Sequence, residues 1–359
     1  MNRKLIWAVA LAVSAGIGWQ FLEEPVSLAL VKKVAAKRLS TDTMTTLSDG
    51  LHVGLCGAGA PFPDDKRSGP CTLVVAGQRL FIFDTGSGSA RHIGAMGFNP
   101  GRIEAIFLTH FHSDHIDGLG ELMLQRWGAS ANSKPVPIYG PPGVDAVVGG
   151  FLQAYEQDHQ YRVAHHGNTV LPTTGFGAIA RTFAMPGAEP GAEPVVLIKD
   201  KDLEISAFAV DHAPVHPAVG YRIRYKDRSV VLSGDTRKSA AVAEAAKGAD
   251  LLVHEALSAP LVAILQESAA AAGRHNLEQV FKDIVNYHSS PQEAAEVAEQ
   301  AQVGYLLLNH IVPPLPLPGL KKVFLGDAAQ RYSGPIRIGQ DGDFVSLPTG
   351  SKKIDVGSL

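Results

Sequence analysis

Residues 109–119 read THFHSDHIDGL and follow directly on the apolar run IEAIFL at 103–108. Three histidines and two aspartates fall within the eight positions 110–117. Imidazoles and carboxylates crowded in this way repel one another or must be desolvated, and a bound divalent cation resolves the conflict. The spacing carries geometry as well. His110 and His112 are two apart, so in an extended segment they point to the same side and can share one ion. Asp114 and His115 open a following helix and can face a second. Mixed nitrogen and oxygen donors suit zinc, with manganese or iron as alternatives.

The same pattern recurs along the chain. Apolar runs end at Asp84, His110, His212, Asp235, His254 and His310. In α/β folds sites assemble where strand ends converge, because the turn after a strand exposes a side chain whose position the strand fixes. Beyond residue 50, short β-branched runs alternate with Ala-rich stretches, which predicts the α/β class. The expected strands are 51–56, 71–76, 79–84, 103–109, 203–210, 219–225, 229–233, 251–254 and 305–309; the expected helices are 114–127, 143–157, 237–247 and 291–302. Between about 128 and 200 the chain is rich in Gly and Pro, which reads as an insertion or long loop. It carries Tyr155, His159, Tyr161, His165 and His166 as a candidate substrate wall, with solvated loop polarity the plainer account of each.

HFHSDH at 110–115 resembles the HxHxDH motif of the metallo-β-lactamase superfamily, and further motifs follow in that family's order. SGDT (233–236) is similar to its bridging-aspartate motif and NHIVPP (309–314) to its final histidine motif. VHEA (253–256) and YHSS (287–290) resemble the HEAT and HST elements of the ribonuclease Z branch. The resemblance covers roughly residues 50–347 and implies a four-layer αβ/βα sandwich with residues 348–359 as a tail. It implies two divalent metal ions, one on His110, His112 and His212, the other on Asp114, His115 and His310, bridged by Asp235. In VDHAPVHPAVGYR both His212 and His216 are available; His212 is favoured because it directly ends the strand. Asp84, in FDTG, is read as orienting a ligand rather than binding metal. His52, His92 and His275 match no motif and are read as structural or solvated.

A water shared by two such ions ionises near neutral pH, so the resemblance implies hydrolysis of an ester. The leaving oxygen needs a proton. His254 is the candidate donor, Glu255 its orienting partner, and His288 contacts the substrate or assists the transfer. Asp114 can also accept a proton from the attacking water. The HEA and HSS elements favour phosphodiester hydrolysis of a ribonuclease Z kind. Only a short turn separates GYRIRY from SVVLSGDT, where typical ribonuclease Z proteins carry a tRNA-binding arm, so nucleic acid is a doubtful partner and a small anionic ester the expected one. GAGAPFPDDKRSGPCTLVV also resembles exported arylsulfatase-like homologues, which makes aryl sulfate hydrolysis the alternative. A metal-stabilised binding module without turnover is the third reading.

With 359 residues and 45% hydrophobic content the chain can bury a large core. Its net charge of −3 gives no strong positive field for phosphate backbones. Residues 5–22 form an uncharged run flanked by Trp7 and Trp19, an expected membrane anchor or cleaved signal peptide covering residues 1–22. Residues 23–49 are expected to be a linker, with VSLALVKKVAAKRL as a possible basic surface helix. Either N-terminal reading places the domain outside the cytoplasm, periplasmic or membrane-held. Cys56 and Cys71 either pair or remain buried thiols. The pattern is compatible with a homodimer and does not specify one.

Overall fold

In the computed structural model, residues 3–189 and 191–359 are described, the side chains of residues 3–21 excepted. The chain divides into two compact units, residues 1–46 and 47–359. In the first, helix α1 (Arg3–Ser40) exposes every side chain from Leu22 to Ser40, apolar and basic alike. Among the described residues no helix is long and apolar enough to cross a membrane. The run 5–22, expected to anchor or to be cleaved, lies outside the described side chains except for Leu22.

The second unit is built on two sheets. β1 (Gly50–Gly57), β2 (Cys71–Ala76), β3 (Arg79–Phe83), β4 (Ile103–Phe107), β5 (Val136–Gly140) and β6 (Ala178–Thr182) lie side by side in that order. β7 (Val195–Lys199), β8 (Leu203–Ala209), β9 (Val219–Tyr225), β10 (Arg228–Leu232), β11 (Leu251–Leu257), β12 (Leu306–Val312) and β13 (Ile336–Ile338) make the second sheet, also in sequence order. β14 (Asp343–Pro348) and β15 (Asp355–Ser358) return to the first sheet and extend it beyond β1.

Alternation explains how the sheets meet. On β9, Val219, Tyr221 and Ile223 enter the core between the sheets while Arg222 and Arg224 face outward. Leu51, Val53 and Leu55 of β1, Phe81 and Phe83 of β3, and Phe107 of β4 meet Ile205, Val230, Leu232 and Val253 across the same interface. The outer face of the second sheet is covered by α6 (Ala240–Ala245) and α9 (Pro291–Gln300), whose Val242, Ala243, Ala294 and Ala298 pack on Val231, Leu252, Leu306 and Leu308. α2 (Ser89–Ala95), α4 (Leu119–Ala129) and α5 (Val144–His166) belong to the first sheet's half, α2 against β1 and α5 against β5 and β6. The expected αβ/βα layering is present.

Two stretches differ from the sequence reading. Residues 128–200 are no insertion: besides the helix expected over 143–157, present as the longer α5, they supply the unexpected strands β5, β6 and β7. Many of the Gly and Pro residues there sit in the connections, although Pro137 and Gly140 lie in β5 and Gly149 and Gly150 in α5, and β5 and β6 are short strands with no strong apolar run. Within this region His159 stacks on Phe176 at 4.3 Å between centroids and meets Trp127 edge-on, so it packs a satellite core rather than walling a site. Tyr155 belongs to the same cluster. Residues 348–359 are not a free tail, since β15 pairs antiparallel with β14 from Asp343↔Ser358 to Ser346↔Asp355. Cys56 and Cys71 form a disulfide between β1 and β2, with a Cα–Cα distance of 5.0 Å.

Candidate active site

The site lies where strands of both sheets end. β4 delivers Thr109 and His110, and His112 is the residue preceding the short helix α3 (Ser113–Ile116), which carries Asp114 and His115. β8 leads to His212, β10 to Asp235, and β12 holds His310. Two local devices aim these side chains. His310 is the extra residue of a bulge, because Asn309 faces Glu255 and Ile311 faces Ala256 across the ladder. It also adopts a left-handed conformation, φ 46°, as does Asp84 at φ 58°. The turn before Asp235 requires Gly234: at φ 61° an added Cβ would stand 2.6 Å from the Val219 carbonyl oxygen.

All seven expected ligands come together. The metal-competent atoms of His110, His112, His212 and Asp235 lie within 4.8 Å of one another, and so do those of Asp114, His115 and His310. Asp235 Oδ2 is central, 3.2 Å from His115 Nε2, 3.3 Å from His310 Nε2, 3.9 Å from His110 Nε2 and 4.0 Å from His212 Nε2. His216, the alternative to His212, is exposed and outside these groups, whereas His212 is fully buried.

The surrounding hydrogen bonds decide which nitrogen each ring presents. Thr109 Oγ1 donates to Asp84 Oδ2 at 2.8 Å, so the same oxygen accepts from His110 Nδ1–H at 3.0 Å. His115 Nδ1–H donates to Asp84 Oδ2 at 2.9 Å, and His212 Nδ1–H to the Tyr287 carbonyl at 2.9 Å. The Nε2 lone pairs of all three are left facing inward, buried and without a hydrogen-bond partner. Burial also lowers the pKa of His110, His112 and His212, which keeps their imidazoles neutral. Burial would raise Asp235, but the His310 and His115 rings more than offset it and hold the carboxyl well below its ordinary range. Buried histidine Nε2 atoms without hydrogen-bond partners, converging on the Asp235 and Asp114 carboxylates, fit divalent metal ions.

The residues read as proton donors separate. β11 alternates, so Val253 and Glu255 face the site side while Leu252, His254 and Ala256 face the helices. His254 is buried, its Nδ1–H donates to the Glu255 carbonyl at 2.8 Å, and it joins none of the ligand groups. His288 does join them, with Asp235 and His310. Its Nδ1–H donates to Glu255 Oε1 at 3.0 Å, an oxygen that also accepts the backbone N–H groups of Ser289 and Thr236, each at 3.1 Å. Burial alone would lower the pKa of His288; the Glu255 carboxylate reverses this and raises it to about 8. Glu255 is therefore paired with His288 rather than with His254.

Sequence reasoning missed two residues here. Arg237 ties three loops together, donating to the carbonyls of Asn286 and, at 2.9 Å, Ala213, and lying 3.5 Å from Asp211. Its only sequence signal is its place immediately after SGDT. Tyr287 sets its ring 5.0 Å from His212 and 4.8 Å from His288. An aromatic beside a histidine in YHSS gave no separate cue.

Comparison with known proteins agrees with this geometry. Residues 64–269 match the model of the metallo-beta-lactamase superfamily. Ribonuclease Z of Mycolicibacterium gilvum is 38% identical over 293 residues, covering 81% of this chain and 94% of the relative. Ribonuclease Z of Mycobacterium avium is 35% identical over 294 residues, covering 81% and 96%. Human tRNase Z, short form, aligns in structure with a TM-score of 0.58 and 23% identity, covering 83% of this chain and 99% of that one. The Bacillus subtilis metallo-beta-lactamase fold protein YhfI gives 0.56 and 20%, covering 83% and 100%. These structural likenesses are evidence of fold. None of these relatives is a sulfatase, so the aryl sulfate alternative gains no support. Together with the ligand set in its expected order, the sequence relatives establish that this chain belongs to the metallo-beta-lactamase superfamily, in its ribonuclease Z branch.

Proposed function

We propose that the chain hydrolyses a phosphodiester bond of a nucleotide-based substrate, RNA included, at a pair of divalent metal ions, most simply zinc. As a member of the ribonuclease Z branch it is a metal-dependent phosphodiester hydrolase. Such ions, when bound, supply Lewis acidity that lowers the pKa of water and polarises a phosphoryl oxygen. His110, His112 and His212 would hold one, Asp114, His115 and His310 the other, with Asp235 between them.

The observation that carries the reading is the His288–Glu255 pair beside Asp235 and His310. Glu255 fixes the His288 ring through Nδ1, so Nε2 is available to protonate the leaving oxygen. Asp114, 3.2 Å from His310, is a candidate to accept a proton from the attacking water. A module that only bound metal would have no use for the first pair.

The small-ester expectation and the doubt about nucleic acid gain no support from relatives named for ribonuclease activity. β9 and β10 are nevertheless joined by the tight turn Lys226-Asp227, so no arm extends there and the substrate is held by the walls of the site. We further propose that the domain works in an oxidising compartment, which the Cys56–Cys71 pair supports. The functional test is hydrolysis of bis(p-nitrophenyl) phosphate and of a precursor tRNA, with p-nitrophenyl sulfate as comparison, before and after chelation. Chelator-sensitive turnover of the phosphodiesters is expected; turnover of the sulfate alone would refute the reading.

A further inference from the structure

Resting on the phosphodiester reading above, we infer that Phe62, Phe281 and Tyr287 form a stacking subsite for a nucleobase next to the scissile phosphate. All three pack on the buried residues Leu257, Val262, Ile284 and Val312, yet each keeps part of its ring exposed. Phe62 and Phe281 lie nearly parallel, 5.9 Å between centroids at an interplanar angle of 17°. Tyr287, packed on the same cluster, reaches the metal site, since its ring meets those of His212 at 5.0 Å, His288 at 4.8 Å and His112 at 6.4 Å. The apolar cluster that carries the three rings thus adjoins the residues that would hold and protonate the reacting group.

Its construction is rigid. Phe62 sits in the loop between β1 and β2, whose ends are joined by the Cys56–Cys71 disulfide. Asp341 accepts the backbone N–H groups of Ala58 at 2.8 Å and Ser68 at 2.6 Å, and Arg67 donates to the Gly339 carbonyl at 3.1 Å. Phe281 lies on α8 (His275–Ile284), which with α7 (Ala259–Ala271) fills the chain between β11, bearing Glu255, and the Tyr287-His288 loop. The segment linking the two members of the proton-donating pair therefore also supplies two of the three rings, Phe281 and Tyr287. Flat π surfaces fixed at the rim of a phosphodiester site bind bases by stacking, with little dependence on which base is present.

The test compares a ribodinucleotide with the same dinucleotide lacking the base on one or the other side of the phosphate, using the metal-loaded full chain. Wild type should favour the base-bearing substrate about tenfold in kcat/KM. Phe62→Leu and Phe281→Leu, which keep apolar volume and lose the π face, should bring that ratio toward unity. Phe281→Trp should raise it, and it serves as the second variant if a leucine form does not fold. A ratio near unity in wild type, or one unmoved by both leucine variants, would overturn the subsite alone. A metal-loaded wild type inert toward every phosphodiester, bis(p-nitrophenyl) phosphate included, would overturn the functional reading and the subsite together.

Discussion

Asp235 stands at the residue scale as the group with least freedom to change. It is buried among four histidines whose Nε2 atoms lie between 3.2 and 4.0 Å from its Oδ2. Asp235→Asn removes a buried negative charge that would offset bound cations, and elemental analysis should find the protein depleted of metal. His288 and His254 provide a contrast of another kind. General acid catalysis contributes about 10²- to 10⁴-fold, so His288→Ala should lower kcat by roughly that factor while metal content is retained. His254→Ala removes a buried ring on the helix side of β11, and should lower the melting temperature with only a few-fold effect on kcat. The reverse ranking, measured with metal content alongside, would return the donor role to His254.

The individual elements have their own tests. The disulfide between β1 and β2 closes a loop of 15 residues, for which chain entropy suggests about 3 kcal/mol of stabilisation. Cys56→Ser should lose an amount of that order in a denaturant titration, and the loop that carries Phe62 should become more sensitive to protease. His52 on β1 is fully buried, bonded to Ser346 Oγ at 2.8 Å and the Ser48 carbonyl at 2.9 Å. Burial lowers its pKa, so the fold holds the neutral ring and the unfolded chain takes up the proton first. Its contribution is complete above the unfolded pKa near 6.5 and is lost as the pH falls toward the lower folded value. Melting curves across that range should show stability declining with acid, and His52→Gln should flatten the decline. At this scale β2 and β9 match their expected bounds, because alternating or continuous apolar residues mark half-buried and buried strands. β5, β6 and β7 are hidden in a window whose Gly and Pro content looks like loop, whereas the helix expected over 143–157 is present as the longer α5, Val144–His166.

For the molecule as a whole, the site joins segments from Asp84 to His310 across two sheets, so metal binding and folding are coupled. At a free metal concentration of 100 Kd the folded state gains about 2.7 kcal/mol. Chelation should therefore lower the melting temperature of the 47–359 unit, and re-addition of zinc should restore it. Unchanged melting after complete metal removal would show that the ions contribute nothing to the fold. The α/β class, the branch of the family and the side chains that converge as a candidate metal-binding set were legible in the chain itself. Ligand identity depends on residue type at short spacing, and strand ends are marked by the apolar runs that precede them, as His110 and Asp235 illustrate. Tertiary structure alone decided between His212 and His216, paired Cys56 with Cys71, and gave Glu255 to His288. Those outcomes depend on which face of a strand a side chain occupies and on what distant segment arrives beside it. Adjacent letters cannot report a distance set by a 33-residue separation such as that between Glu255 and His288.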